Sequence, residues 1–412
     1  MPRSAQKYVA LLLLMLASEA VFMLPFVVAR VFRPTFLHAF ELTNFQLGSA
    51  FSAYGLSAML SYFLGGPLAD KFPPRKLMAL SLVVTGLSGF FMATLPGLGA
   101  LTILYAFWGV SSILLFWAAS IKSIRQLGGT DQGLAFGSVD AGRGLLAAVV
   151  ASASVLLMEF LLPVPAEEAQ AEMLSSALSQ IINGFSAFIL ILGLLVWWLF
   201  PKRQQPQKAS TAIVWKQVLH RPQVWWQALV VLCAYVGYKV TDDFSLYASD
   251  ALNFNDVKAA HMGTISFWMR PVAALLAGFL GDRFRHSKVI LWFFAIMLVG
   301  SLLMASGFLS HFRVWATALN IAALSLGIYG VRGLYYALLQ EAHLPMSITG
   351  SVVGFVSVVG YTPDIFMGPL MGYFLDRYPG ITGHQWVFAF LAGFSLLGLV
   401  AARAFQVRKP KV

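Results

Sequence analysis

Apolar residues fall in runs of about 20, the length that crosses a bilayer core, and short polar clusters separate one run from the next along the whole chain. Counting runs between these breaks predicts helices at 8–33, 44–69, 77–95, 99–122, 134–160, 179–200, 224–248, 258–281, 288–309, 313–338, 347–375 and 384–406. The first, "YVALLLLMLASEAVFMLPF", follows Arg3 and Lys7 as a signal peptide would, but it stays apolar past any cleavage site. It is expected to be a retained first helix. The fold class expected is an all-α membrane protein with twelve transmembrane helices.

Composition supports that expectation. Of 412 residues, 59% are hydrophobic and 11% charged, more apolar surface than a water-soluble chain could cover. The net charge of +11 reflects topology: with the N-terminus inside, 18 of the 28 basic residues fall in cytoplasmic segments, and Arg33, Lys258, Arg313 and Arg377 fall outside. Both termini are therefore expected to be cytoplasmic, in a bacterial inner membrane. A nucleic-acid partner would need a basic soluble face, which this pattern lacks. The single cysteine, Cys233, lies inside the seventh run and forms no intrachain disulfide.

The segment 201–223, "PKRQQPQKASTAIVWKQVLHRPQ", is the longest polar interruption and divides six runs from six. It predicts one bundle over 1–200, a cytoplasmic linker over 201–223 and a second bundle over 224–412. The acidic break "LPVPAEEAQAEMLSS" is expected outside. "GPLADKFPPRK" at 66–76 recurs as "GFLGDRFRHSK" at 278–288, after the second helix of each half. Parallel repeats of six helices are the architecture of one large transporter class.

This repeated loop, with Gly66, Leu68, Asp70, Arg75 and Lys76 in the first copy and Gly278, Leu280, Asp282, Arg283 and Lys288 kept in the second, closely resembles the signature loop of the major facilitator superfamily. The resemblance implies two six-helix bundles that rock about a central site. It also implies a gating latch at Gly66, Asp70, Arg75, Lys76, Asp282, Arg283 and Lys288 that holds the outward-facing state.

Ionisable residues inside spans cost about 2.5–3.5 kcal/mol each on insertion scales, so they face a cavity or a partner. Tyr235, Tyr238, Lys239 and Asp242 recur at i, i+3, i+4 and i+7, one face of the seventh helix, with Asp243 beside it. Glu19 and Arg30, eleven residues apart on the first helix, are expected to point the same way with Phe26 between them. Asp140 and Arg143 make an i, i+3 pair on the fifth, Arg270 precedes Pro271, Arg332 lies between Tyr329 and Tyr336, and Asp364 follows Tyr361. Substrate-binding candidates are Arg30, Lys239, Tyr235, Tyr238, Arg270, Arg332 and Tyr361. Coupling candidates are Asp140, Arg143, Glu19, Asp242, Asp243 and Asp364. Each also has a structural reading: Asp140 with Arg143, or Lys239 with an aspartate, can hold helices in register, Glu19 can be a protonated core acid, and Arg332 can snorkel. Lys122 and Arg125 can be plain stop signals.

If Asp140 neutralises Arg143 and one aspartate neutralises Lys239, cationic capacity remains at Arg30, Arg270 and Arg332, and guanidinium forks suit carboxylate or phosphate. "LPFVVARVF", "YVGYKVTDDFSLY" and "WAASIK" resemble segments of the organophosphate:phosphate antiporter family. That resemblance implies phosphate contact at Arg30, with Lys239 within one position of the family's second arginine and Lys122 where a third would stand. The chain departs from the family at "AYGLSAMLSYF", where Ala58 and Ser61 replace a lysine, and at "VDAGRG", where a histidine is missing.

No H-E-x-x-H, G-x-S-x-G or phosphate-cradling glycine loop occurs, and the seven histidines show no ligand spacing, so neither an enzyme nor a metal or other cofactor is expected. The expected protein is a monomeric secondary transporter of a small organic anion, coupled to protons or a counter-anion. An exporter of cationic or amphipathic compounds is the competing expectation, favoured by aromatic residues such as Trp108, Phe116, Trp117 and Trp268.

Overall fold

The structure is a computed structural model that describes residues 3–128, 132–201, 219–311, 314–341 and 346–407. Its described elements are helices: α1 (Lys7–Val31), α2 (Asn44–Lys71), α3 (Pro74–Met92), α4 (Leu98–Gly128), α5 (Gln132–Leu161) and α6 (Ala171–Leu199), then α7 (Pro222–Leu252), α8 (Asp256–Arg283), α9 (His286–Ala305), α10 (Val314–Leu334), α11 (Met346–Gly360 and Pro363–Arg377) and α12 (Ile381–Val407). Among the described residues, eleven spans are long and apolar enough to cross a membrane. The exception, α2, is 28 residues long but rich in Gly, Ser and Ala, small residues that permit close helix contact. Of the expected linker 201–223, residues 202–218 lie outside the described residues.

In the first bundle α3 packs on α6, α2 on α4 and α1 on α5. In the second α9 packs on α12, α8 on α10, and α7 on both α11 and α12. We name the side holding the start of α1 and the end of α12 the terminus face, and the opposite side the far face. The bundles meet through α2 against α11 and α5 against α8, and the α2 contact lies in its far-face half. A Cβ on Gly48 would collide with the Gly368 carbonyl, one on Gly55 with the Asp364 carbonyl, and one on Gly372 with the Asn44–Phe45 backbone. Glycine here lets two backbones touch, and Ser52 Oγ donates to the Ile365 carbonyl in the same seam.

Several helices depart from the expected regularity near mid-depth. A π-helical stretch, Met23–Val27, interrupts α1 at Pro25, and another, Val110–Trp117, interrupts α4. A 3₁₀ turn, Thr241–Asp243, breaks α7, and Tyr361–Thr362 breaks α11 ahead of Pro363. The sixth helix begins at Ala171, about two turns earlier than expected, so the acidic connection is shorter. Irregular turns of this kind inside spans free backbone groups and re-aim side chains toward a protein-lined cavity.

Candidate functional site

A cavity of about 100 Å³ lies between the bundles, room for several waters or a small solute. The first bundle contributes Glu19, Phe26, Tyr54, Ala58, Trp117 and Arg143 to its wall. The second contributes Tyr235, Tyr238 and Lys239 from α7, Arg270 from α8, Arg332 from α10, and Tyr361 and Asp364 from α11. Nine of the thirteen residues expected to bind substrate or carry coupling charge thus line one chamber.

Arg30, Asp140, Asp242 and Asp243 are not on its wall. Eleven residues would return Glu19 and Arg30 to one face of an α-helix, but the wider π-helical turn between them changes the register. Glu19 therefore faces the chamber, while Arg30 passes behind Tyr238, its guanidinium 4.5 Å from the ring centre. There Arg30 Nε donates to Asp242 Oδ1 at 2.5 Å, and Arg30 Nη2 is buried with no hydrogen-bond partner. Asp242 Oδ2 lies 3.3 Å from Lys239 Nζ, and Lys239 also meets Asp364 Oδ1 at 3.5 Å. Lys239 is thus held by two carboxylates as well as by the Phe26 ring, 4.7 Å away.

On the other side of the chamber, Glu19 is the carboxylate that two arginines share. Arg143 Nε donates to its Oε2 at 3.2 Å and Arg270 Nη1 to both oxygens at 3.3 Å. The expected Asp140–Arg143 pair is present at 3.8 Å, but Glu19 is the nearer partner, and Asp140 lies 3.6 Å from Arg270 as well. Glu19 is therefore not a lone core acid.

Arg332 differs from the other cations. Its guanidinium sits 3.7 Å from the Tyr238 ring centre and 5.3 Å from that of Tyr235. Its Nη1 is buried without a hydrogen-bond partner, and among the described residues no carboxylate pairs with it. It does not snorkel: it points into the chamber. Tyr235 donates to Asp364 Oδ2 at 2.9 Å, the Tyr336 and Tyr361 hydroxyls lie 3.0 Å apart, and the Tyr235 and Tyr361 rings pack at 4.8 Å, linking the two pairs.

Asp243 turns away from the chamber. Its carboxylate meets His384 on α12, a partner the sequence pattern gave no reason to expect. Arg33, which follows α1 at the far face, is buried; it donates to Asn44 Oδ1 at 3.0 Å and to the Asp242 carbonyl at 3.3 Å. Phe22, Tyr54 and Tyr62 also line the chamber; aromatic residues are too common in this chain for sequence to single them out.

The expected latch lies at the terminus face. Gly66 and Asp70 have side-chain positions outside the described residues. Arg75 stacks 5.5 Å from Trp197 of its own bundle, Lys76, Asp282 and Arg283 are exposed, and Lys288 lies over Phe284 and Trp292. Lys122 donates to the Ala69 carbonyl at the end of α2 rather than lining the chamber. Ala58 does line it, and Ser61 is buried, donating to the Ser57 carbonyl.

A family model described as "Major Facilitator Superfamily" matches residues 11–363. The chain belongs to the major facilitator superfamily. It is similar to the inner membrane protein YqcE of Escherichia coli (strain K12), 27% identical over 88% of this chain and 86% of that protein. It is also similar to the probable nitrate/nitrite antiporter NarK1 of Thermus thermophilus, 24% identical over 81% of this chain and 78% of that one. Its fold matches the crystal structure of a bacterial homologue of the human lysosomal transporter Spinster, inward-facing and unoccupied, with a TM-score of 0.74 at 15% identity over 100% of both chains. The protein is a multi-pass membrane transporter of this superfamily and not an enzyme.

Proposed function

We propose that the protein carries a small organic anion across the membrane by alternating access, with the anionic group docking at Arg332 against Tyr238. The observation that carries this reading is the buried, unpartnered Nη1 of Arg332 in a chamber built by both bundles. Around the chamber five cations, Arg30, Arg143, Lys239, Arg270 and Arg332, stand against four carboxylates, Glu19, Asp140, Asp242 and Asp364. Fully ionised, that set leaves one positive charge, and a buried cation costs several kcal/mol until something neutralises it. A carboxylate, phosphate or sulfonate supplies the charge and a bidentate acceptor. Tyr235, Tyr361 and Arg270 would complete the pocket, and the unpartnered Nη2 of Arg30 is a second donor behind Tyr238. The similarity to a probable nitrate/nitrite antiporter agrees with an anionic cargo.

A cationic cargo fits less well because the aromatic faces it would use are occupied. Arg30 and Arg332 cover Tyr238, Lys239 covers Phe26, and Arg143 lies within 6 Å of both Phe22 and Trp117.

In this reading both termini are cytoplasmic, the far face is external, and the molecule is closed outside. The loops bearing Asp70, Arg75, Lys76, Asp282, Arg283 and Lys288 then form the inner latch, disengaged in this state. Cargo movement is coupled to protons or exchanged for a counter-anion, with Glu19 and Asp364 the carboxylates that line the chamber. Uptake by the purified protein in liposomes, with sugar phosphates, carboxylates and sulfonates against cationic dyes, tests the reading. Saturable uptake of an anion that Arg332→Ala removes is the expected result; competition by cations alone overturns it.

A further inference from the structure

The side chain of His384, in the first turn of α12, is completely buried, and both of its ring nitrogens face carboxylates. Nδ1 lies 2.7 Å from Asp243 Oδ2 and Nε2 lies 3.2 Å from Asp250 Oδ2. A neutral imidazole has one N–H and one lone pair, and an ionised carboxylate can only accept. Two hydrogen bonds to two carboxylates therefore require one proton more than a neutral ring and two carboxylates possess. The geometry itself describes a protonated site, whether that proton resides on the ring or on an aspartate.

Its position gives that proton access and leverage. Asp250 has 34% of its side chain exposed at the far face, whereas Asp243 and His384 are fully covered, so Asp250 is the doorway. Asp243 belongs to the 3₁₀ turn Thr241–Asp243 that breaks α7. The first bundle grips that turn through Arg30 on the Asp242 carboxylate and Arg33 on the Asp242 carbonyl, and Ser245 just beyond it donates to the Arg30 carbonyl. One short turn thus carries contacts between the bundles on one side and the His384 clasp on the other. Among the described residues, the titratable groups facing the ring are Asp243, Asp250 and Tyr247, whose ring lies edge-on at 5.3 Å. All three are on α7. From α11 the neighbour of this turn is backbone, the Tyr378 carbonyl beside Gly383, and the turn after α9 brings Gly307 against Gln385.

We propose that His384, clasped by Asp243 and Asp250, is a proton-binding site that controls the far-face gate. With the proton bound, both carboxylates are satisfied and α12 holds the α7 turn against the first bundle. When the proton leaves through Asp250 to water at the far face, the two carboxylates share a single N–H. If the N–H turns to Asp250, Asp243 is left fully buried without its ring partner, its Oδ1 already having none; if it stays on Asp243, the bare lone pair of Nε2 faces the Asp250 carboxylate, and either way one half of the clasp between the α7 turn and α12 is lost. The only bond made or broken is N–H or O–H, and water at the far face is the proton donor and acceptor. The proposal rests on the chain being a transporter, but not on the sign of its cargo.

The test needs no cargo. Spin labels at Glu168→Cys and Arg377→Cys, exposed far-face positions on opposite bundles, with Cys233→Ala, report the gate by pulsed dipolar distance measurement across pH 5 to 9.5. The unaltered clasp is expected to show short distances at low pH and a longer population as pH rises. His384→Gln cannot bridge both carboxylates and is expected to show the longer population throughout. Asp250→Asn can donate to a neutral ring, so it is expected to hold the short distance throughout, and this variant decides the matter if His384→Gln fails to fold. An Asp250→Asn response to pH equal to that of the unaltered clasp, or no response in either, overturns the proposal. Because anion uptake is read separately, its failure leaves this result standing, and the reverse also holds.

Discussion

Arg30 of the first bundle and Lys239 of the second share one carboxylate, Asp242, at 2.5 and 3.3 Å. That sharing joins the bundles through a single buried acid behind the chamber wall. Asp242→Asn would leave both cations short of a counter-charge, and breaking such a pair costs about 3–5 kcal/mol. The expected outcome is a clearly lowered thermal midpoint in detergent. Arg30→Met combined with Asp242→Leu should recover part of the loss, because Lys239 still has Asp364. A midpoint unchanged in Asp242→Asn would mean that the acid is not ionised in the folded protein.

Arg332 is expected to matter for cargo and little for stability, since no carboxylate among the described residues depends on it. A hydrogen bond to a charged group is worth about 1.5–3 kcal/mol, roughly ten- to a hundredfold in affinity. Arg332→Ala should weaken binding of the transported anion by that factor and should not lower the melting midpoint of the cargo-free protein, since it removes a cation that no carboxylate among the described residues neutralises. Arg332→Lys should recover part of the affinity for a spherical anion and less for a planar carboxylate, which uses the fork.

The seam between α2 and α11 depends on backbone contact at Gly48 and Gly368. Gly48→Val places branched carbon where the Gly368 carbonyl sits, so the far face cannot close. Maleimide labelling of Ser52→Cys, half-buried in the seam, should be faster in the Gly48→Val background than alone. Equal rates would show that the helices separate elsewhere.

Two contacts across the far face differ in their expected strength. Asp376 at the end of α11 accepts from the Asn44 and Phe45 backbone N–H groups at 3.0 and 2.8 Å, capping α2 from the other bundle. A lost cap costs about 1 kcal/mol, so Asp376→Ala should shift the Glu168/Arg377 distance distribution measurably toward the open form. Glu167 and Lys258 pair at 2.9 Å on the exposed surface, and the hydrogen bond from Lys258 holds the Glu167 carboxyl below its ordinary value. Its small contribution to closure is present above the ordinary carboxylate range and disappears as pH falls through that lowered value. Glu167→Gln at neutral pH should leave the distribution unchanged at physiological salt.

The helix runs and the intramembrane charges were legible because lipid enforces them: a span must be largely apolar for about 20 residues, and a charge inside it needs a reason; the loop after the second helix of each half was legible by its repetition. Which charges meet was decided by tertiary structure. The π-helical turn in α1 reset helical phase, so Glu19 parted from Arg30, and Asp243, next to Asp242 on α7, found its partner on α12 rather than in the chamber. Hydrophobic periodicity cannot report such insertions, because all faces of a buried helix are apolar. His384 carried no signal either, standing 141 positions from Asp243. Sequence alone determined that cations from two six-helix units must find partners in the membrane. Only the folded packing decided that Arg332 would stand beside the chamber with no carboxylate partner among the described residues, because pairing depends on side-chain direction in three dimensions and not on spacing along the chain.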